Sequence, residues 1–156
     1  MTVEEKLVAE LIENKMSVST AESCTGGLIS ATIVNVPGAS EVFNEGYVTY
    51  SDEAKMRILG VSQDVLDTLG AVSRRTAALM AKGCAVNANA DVGISTTGIA
   101  GPGGGTEEKP VGLVYVGCFY KGDAYVNKYI FKGTREEVRK QAVNSAIEFA
   151  LYVISE

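Results

Sequence analysis

Apolar and polar positions follow two periods along this chain, and the switches between them mark out its elements. Val3, Leu7, Val8, Leu11 and Ile12 recur at helical spacing, which predicts an amphipathic helix over residues 2–15. A β-branched run predicts a strand at about 16–21, and the apolar segment Leu28 to Val36 predicts a helix at about 25–35, stopped by Pro37-Gly38. Gly46 to Ser51 reads as a second strand. Ser51 caps a short helix that ends at Gly60, Ser62 caps another, and Ser73 opens a longer one through about Ala88. The apolar run Asp91 to Thr97 predicts a third, buried strand. Val111–Tyr120 and Ala124–Phe131 predict a hairpin across Lys121-Gly122-Asp123. Thr134 caps a last helix with Val138, Ala142, Ala146, Phe149 and Val153 on its core face. Helices alternate with strands and a hairpin follows, so the expected fold is one α/β domain over residues 1–156, a mixed sheet covered by helices on both faces.

Composition narrows the chemistry. At 156 residues and 46% apolar content the chain buries a core without metals or disulfides. A net charge of −5 argues against nucleic acid or an acidic membrane surface as partner, although it leaves room for one basic pocket. No apolar run is long enough to span a bilayer, and the charged start Met1-Thr2-Val3-Glu4-Glu5-Lys6 does not pattern as a signal peptide. Cys24, Cys84 and Cys118 are odd in number and lack CxxC spacing, as expected of reduced thiols in the cytoplasm. There is no histidine. That removes Ser-His-Asp and Cys-His catalysis and most zinc sites, and leaves Lys, Glu, Asp, Tyr or Cys for acid–base work.

The richest stretch is Thr20-Ala21-Glu22-Ser23-Cys24-Thr25-Gly26-Gly27, a polar turn between a strand and a helix. Ser23 reads there as a structural helix N-cap or as a nucleophile, with the N–H groups around Cys24, Thr25 and Gly26 and the helix dipole as an oxyanion site. Cys24 is a rival nucleophile or a buried apolar filler. Glu22 reads as an orienting group, a base or a complement to the dipole. Lys55 is either a solvated helix face or, with Tyr50 closing the preceding strand, a group aimed at the carboxyl edge of the sheet, where such sheets place ligands. The run Gly98-Ile99-Ala100-Gly101-Pro102-Gly103-Gly104-Gly105 is a connector or a backbone cradle for phosphate. Arg135 and Arg139 share a helix face; they pair with Glu136 or Glu137, or clamp an anion.

Taken together these clusters resemble the C-terminal domain of CinA-type (competence/damage-inducible) proteins, also found alone as nicotinamide-nucleotide amidohydrolase. The resembling residues are the Thr20–Gly27 stretch and Val48-Thr49-Tyr50-Ser51-Asp52-Glu53-Ala54-Lys55. With them go Gly70-Ala71-Val72-Ser73, Thr97 to Pro102, Lys109-Pro110-Val111-Gly112, and Arg135 to Arg139. The resemblance implies a three-layer α/β/α sandwich with a mixed, mostly parallel sheet of about five strands. It also implies cleavage of the carboxamide of nicotinamide mononucleotide, giving nicotinate mononucleotide and ammonia, without metal or cofactor. Ser23 is then the nucleophile, Lys55 its base and Tyr50 a supporting group. Cys24, Thr25, Gly26, Thr97, Gly98, Gly101, Gly103, Gly104 and Arg139 are the residues expected to meet the substrate. Two positions depart from the family pattern: Asp52 stands where Asn is common, and Arg74-Arg75 follow Ser73 where an acidic residue is frequent. The pyrophosphatase-like domain of longer members has no counterpart in these residues, so that activity is not expected of them. A nucleotide- or phosphate-binding module without turnover is the alternative reading, and a homo-oligomer is expected from strands left near a sheet edge.

Overall fold

A computed structural model describes residues 1–155. Five strands form one sheet: β1 (Val18–Glu22), β2 (Phe43–Val48), β3 (Val92–Gly98), β4 (Leu113–Tyr120) and β5 (Asp123–Ile130). Their spatial order is β2-β1-β3-β4-β5, parallel from β2 through β1 to β3 and antiparallel from β3 through β4 to β5. β1 is buried at all five positions and β3 at six of seven, as strands covered on both faces must be. β5 lies at the sheet edge and is mostly exposed. Its hairpin turns on Lys121 and Gly122, at φ +50° and +84°, the pair of positive φ values that a two-residue turn needs to follow the strand twist.

Among the described residues six α-helices cover the sheet. α1 (Val3–Glu13), α2 (Leu28–Val34) and α6 (Arg135–Ile154) pack on one face, and α3 (Asp52–Leu59), α4 (Gln63–Thr68) and α5 (Arg74–Ala88) on the other. Each face has its own apolar cluster. Leu7, Leu11, Ile29, Ile33, Ala146 and Ile147 meet Val18, Ile94 and Val116 on the first, and Leu59, Leu66, Met80 and Cys84 meet Ala21 on the second. This is the three-layer α/β/α sandwich with a mixed five-stranded sheet. Thr2, Ser51, Ser62, Ser73 and Thr134 cap their helices through side-chain oxygens, with full capping boxes at Thr2–Glu5 and Thr134–Glu137. Among the described residues no helix is long and apolar enough to cross a membrane.

The largest departures from the sequence pattern fall at β2 and α2. β2 runs Phe43–Val48 rather than 46–51, because its pairing with β1 starts at Val18↔Phe43 and ends at Glu22↔Val48. Tyr50 and Ser51 therefore lie in the connection to α3. α2 begins at Leu28 instead of about residue 25, since Gly26 and Gly27 hold left-handed φ values of +57° and +102°. The stretch from Ser23 to Gly27 is thus a free-standing turn.

Candidate active site

The carboxyl ends of β1, β2 and β3 lie side by side, and the chain leaves β1 and β2 toward opposite faces: β1 feeds α2, β2 feeds α3. That divergence opens a crevice, the place where open α/β sheets hold ligands. A cavity of about 230 Å³ occupies it, floored by Ser23, Cys24 and Lys55, walled by Thr97, Gly98 and Ala100 and by Ala71 and Val72, and bordered by Tyr50 and Arg135.

Ser23 does not cap α2. The N-cap position belongs to Gly27, which supplies no side-chain bond, and the helix start is satisfied by Glu22. This fully buried carboxylate accepts from Ile29 N at 2.8 Å, Ser30 N at 3.0 Å, Ser30 Oγ at 2.8 Å and Thr25 Oγ1 at 2.6 Å. Of the three roles open to Glu22, it fills that of complement to the helix terminus. The same contacts take up the exposed N–H groups of α2, so the helix dipole is not left for an oxyanion. Ser23 itself donates its N–H to Thr96 O at 3.1 Å, which ties the turn to β3.

Lys55 meets Ser23 across the crevice. It sits in the first turns of α3, only 1% exposed, with Nζ 3.0 Å from Ser23 Oγ. It also donates to Thr49 O at 2.8 Å and Tyr50 O at 3.1 Å, the two carbonyls released where β2 ends. As an ammonium, Lys55 has an acceptor for each of its three hydrogens. As a neutral amine it keeps two hydrogens on the carbonyls and turns its lone pair to the Ser23 hydroxyl. Burial lowers its pKa from the usual lysine value; Asp52, and more weakly Cys24, pull it back up.

Cys24 is buried against the α1/α2/α6 cluster, and burial pushes its thiol up to about 11. At neutral pH it is a thiol, and Lys55 Nζ is hydrogen-bonded to Ser23 Oγ instead of its sulfur. Gly26 N–H is occupied by Ser23 O at 3.1 Å. No protein acceptor among the described residues takes the N–H of Cys24 or Thr25, and of the two residues Cys24 lines the cavity. The Thr25 side chain is fully buried on Glu22 and Thr96 Oγ1 (2.8 Å) and meets no ligand directly.

The remaining expected residues divide between wall and support. Thr97 reaches the cavity, but its hydroxyl donates to Ala71 O at 2.7 Å and so pins the segment before α5. Gly98 lines the wall where a Cβ would fall 2.6 Å from Leu113 O, so only glycine fits. Gly101 is buried and its carbonyl accepts from Arg135 Nη1 at 2.8 Å, while Gly103 and Gly104 are exposed and stand apart from the lining. The two arginines separate. Arg139 donates from Nε to Cys24 O at 3.0 Å and from Nη2 to Thr25 O at 3.1 Å, bracing the turn from behind. Arg135 borders the cavity and donates from Nη2 to Tyr50 Oη at 3.2 Å. Tyr50 offers Lys55 its backbone carbonyl, not its ring hydroxyl. Ala71 and Val72 carry no chemistry that marks a site; only their place in the Gly70–Ser73 motif signals them. Among the described residues no cluster of three or more His, Cys, Asp or Glu side chains converges to hold a metal.

A model of the CinA C-terminal domain matches residues 1–154. Two relatives named as competence-damage inducible proteins, from Clostridium acetobutylicum and Clostridium perfringens strain 13, are each 55% identical over 148 and 149 residues. These alignments cover 95% and 96% of this chain but 36% of each relative, so the chain spans little more than a third of the length of the curated proteins it matches. Among solved structures, the competence/damage inducible protein CihA from Agrobacterium tumefaciens superposes with a TM-score of 0.91 at 40% identity, covering 100% of this chain and 98% of its own. A CinA superfamily protein from Escherichia coli gives 0.94 at 38% identity, covering 97% and 88%.

Proposed function

The chain belongs to the CinA C-terminal domain family, and on that footing we propose that it is an amidohydrolase converting nicotinamide mononucleotide to nicotinate mononucleotide and ammonia, a step of pyridine nucleotide salvage. The observation that carries the reading is the buried Lys55 Nζ, 3.0 Å from Ser23 Oγ with two backbone carbonyls holding its other hydrogens. A solvated lysine does none of this. A serine that merely caps a helix has no need of a buried amine.

In the proposed reaction Ser23 Oγ attacks the carboxamide carbon as Lys55 takes its proton. The oxygen of the tetrahedral intermediate faces Cys24 N–H and Thr25 N–H, one such donor being worth about 3–4 kcal/mol. Lys55 returns the proton to the nitrogen, the C–N bond breaks and ammonia leaves an acyl-Ser23 ester. Water, deprotonated by the same amine, then splits the ester into the carboxylate and free serine. The pyridinium ring makes its own carboxamide more electrophilic. Lys55 must be neutral to begin, and a lysine at its usual value of about 10.4 is less than ~0.1% neutral at pH 7. Burial supplies the downward shift. The contact of Lys55 Nζ with Ser23 Oγ, and not with the Cys24 sulfur, supports serine over cysteine as nucleophile.

Ammonia release from nicotinamide mononucleotide, followed for the wild type and Ser23→Ala with EDTA present, tests the reading. Turnover by the wild type alone is the expected result. Equal turnover by both would remove Ser23 from the mechanism. Nucleotide binding with no turnover in either would leave a binding module.

A further inference from the structure

We infer that Arg135, with the Tyr50 hydroxyl beside it, receives the substrate's anionic group, while Arg139 contacts no ligand; the site therefore selects carboxamides that carry a remote phosphate. This inference rests on the amidohydrolase reading and assigns its recognition step.

The two arginines lie one helical turn apart on α6 and each gives two hydrogens to protein oxygens, but only Arg135 borders the cavity. Arg139 faces two carbonyl oxygens, Cys24 O and Thr25 O, which fix its guanidinium behind the Ser23 turn and away from the cavity. Arg135 borders the cavity itself. Gly101 O and Tyr50 Oη engage one hydrogen each of its two terminal nitrogens, so three of its five N–H groups remain for a ligand, in a fork already aimed by its neighbours. Lys55, the other cation of the lining, lies beneath Ser23 with every hydrogen accounted for.

Size points the same way. A cavity of about 230 Å³ admits a pyridine carboxamide but lies below the volume usual for larger ligands, so a mononucleotide with its amide on Ser23 leaves the ribose phosphate at the mouth. Arg135 and Tyr50 stand there, both exposed. The Tyr50 hydroxyl is free to turn its hydrogen toward a phosphate while still accepting from Arg135. Its part is then to hold the substrate, and Lys55 depends only on its backbone carbonyl.

Binding measured apart from turnover gives the test. Ser23→Ala protein is titrated calorimetrically with nicotinamide mononucleotide and with nicotinamide riboside, alone and combined with Arg135→Met or Arg135→Lys. The mononucleotide is expected to bind ~10- to 100-fold tighter than the riboside, in line with a charge-assisted contact. Arg135→Met should erase that ratio and Arg135→Lys restore part of it, since lysine keeps the charge without the fork. In the Ser23 protein Arg135→Met should raise KM for the mononucleotide by the same factor and leave kcat within a few-fold. A ratio that survives Arg135→Met, or no ratio at all, overturns the inference. Absent binding of both ligands overturns it too, and leaves the amidohydrolase reading standing if another carboxamide is hydrolysed. Arg135-dependent binding without turnover upholds the anion site and removes the amidohydrolase reading.

Discussion

The floor and the mouth of the cavity are built in different ways. At the floor almost every polar atom is buried and engaged: Glu22 accepts four bonds, Thr25 joins Glu22 to Thr96, and Lys55 has three partners. At the mouth Arg135 and Tyr50 are exposed, and Arg135 is held by single contacts to Gly101 O and to the Tyr50 hydroxyl. Reaction geometry tolerates little displacement, so a nucleophile and its base need a rigid shell. Recognition of a phosphate at an open rim needs charge more than fixed position. Substitutions at the floor should therefore act on kcat or on folding, and those at the mouth on KM.

The sharpest test of that division is Ser23→Ala. It should lower kcat by about 10⁴-fold or more while nucleotide affinity changes by less than a few-fold. A loss of affinity equal to the loss of rate would make the floor a binding surface and break the comparison.

Lys55 gives the next largest effect. The activity kcat/KM should rise toward alkaline pH and level off above the folded-state pKa of Lys55, below the usual lysine value of about 10.4. A flat profile from pH 5 to 9 would count against Lys55 as base. The same shift has a stability consequence. Because the folded pKa is lowered, the unfolded chain holds more protons between the two pKa values, and stability rises with pH across that window. Below the folded pKa the protonated, buried ammonium is a constant penalty. Lys55→Met should abolish turnover and flatten the alkaline rise in Tm.

Arg139 separates the two regions on one helix. Arg139→Met should cost about 2–3 kcal/mol of stability by freeing Cys24 O and Thr25 O, measured by denaturant unfolding. It should lower kcat through a loosened turn and leave the mononucleotide-to-riboside ratio intact. A lost ratio would return Arg139 to the substrate.

These assignments show where sequence is legible. Capping residues, apolar periods and the Lys121-Gly122 turn act over a few neighbours, so the helices, the hairpin and the α/β class follow from local pattern. The convergence of Ser23, Lys55 and Thr97 follows from topology, because Ser23 and Lys55 follow strands, and Thr97 lies near the end of one, that all finish at one sheet edge. What local pattern misstates is whatever distant partners decide. Ser23 has the residue type and place of an N-cap, but the left-handed Gly26 and Gly27 delay the helix to Leu28 and the buried Glu22 takes its first N–H groups. Arg135 and Arg139 are equivalent by spacing and differ because Cys24 and Thr25 present carbonyls to one of them. The edge of β2 moved to Phe43 because its register is set by β1.

The smallest effect tests the floor at its one loose atom. Thr49 Oγ1 is buried with no hydrogen-bond partner among the described residues, although Thr49 N donates to Glu22 O and Thr49 O accepts from Lys55. The backbone of this residue carries its contribution, and the side chain only fills space. Thr49→Val keeps the shape and removes an unsatisfied hydroxyl, so stability should be unchanged or rise by up to ~1 kcal/mol. Activity should be retained. Thr97→Val makes the same chemical change where the hydroxyl holds Ala71 O, and should lose about 1 kcal/mol together with part of kcat. Matched losses in the two variants would mean that Thr49 Oγ1 gains a partner when a ligand occupies the cavity. Unequal losses confine the tolerance of the floor to the atom that nothing there engages.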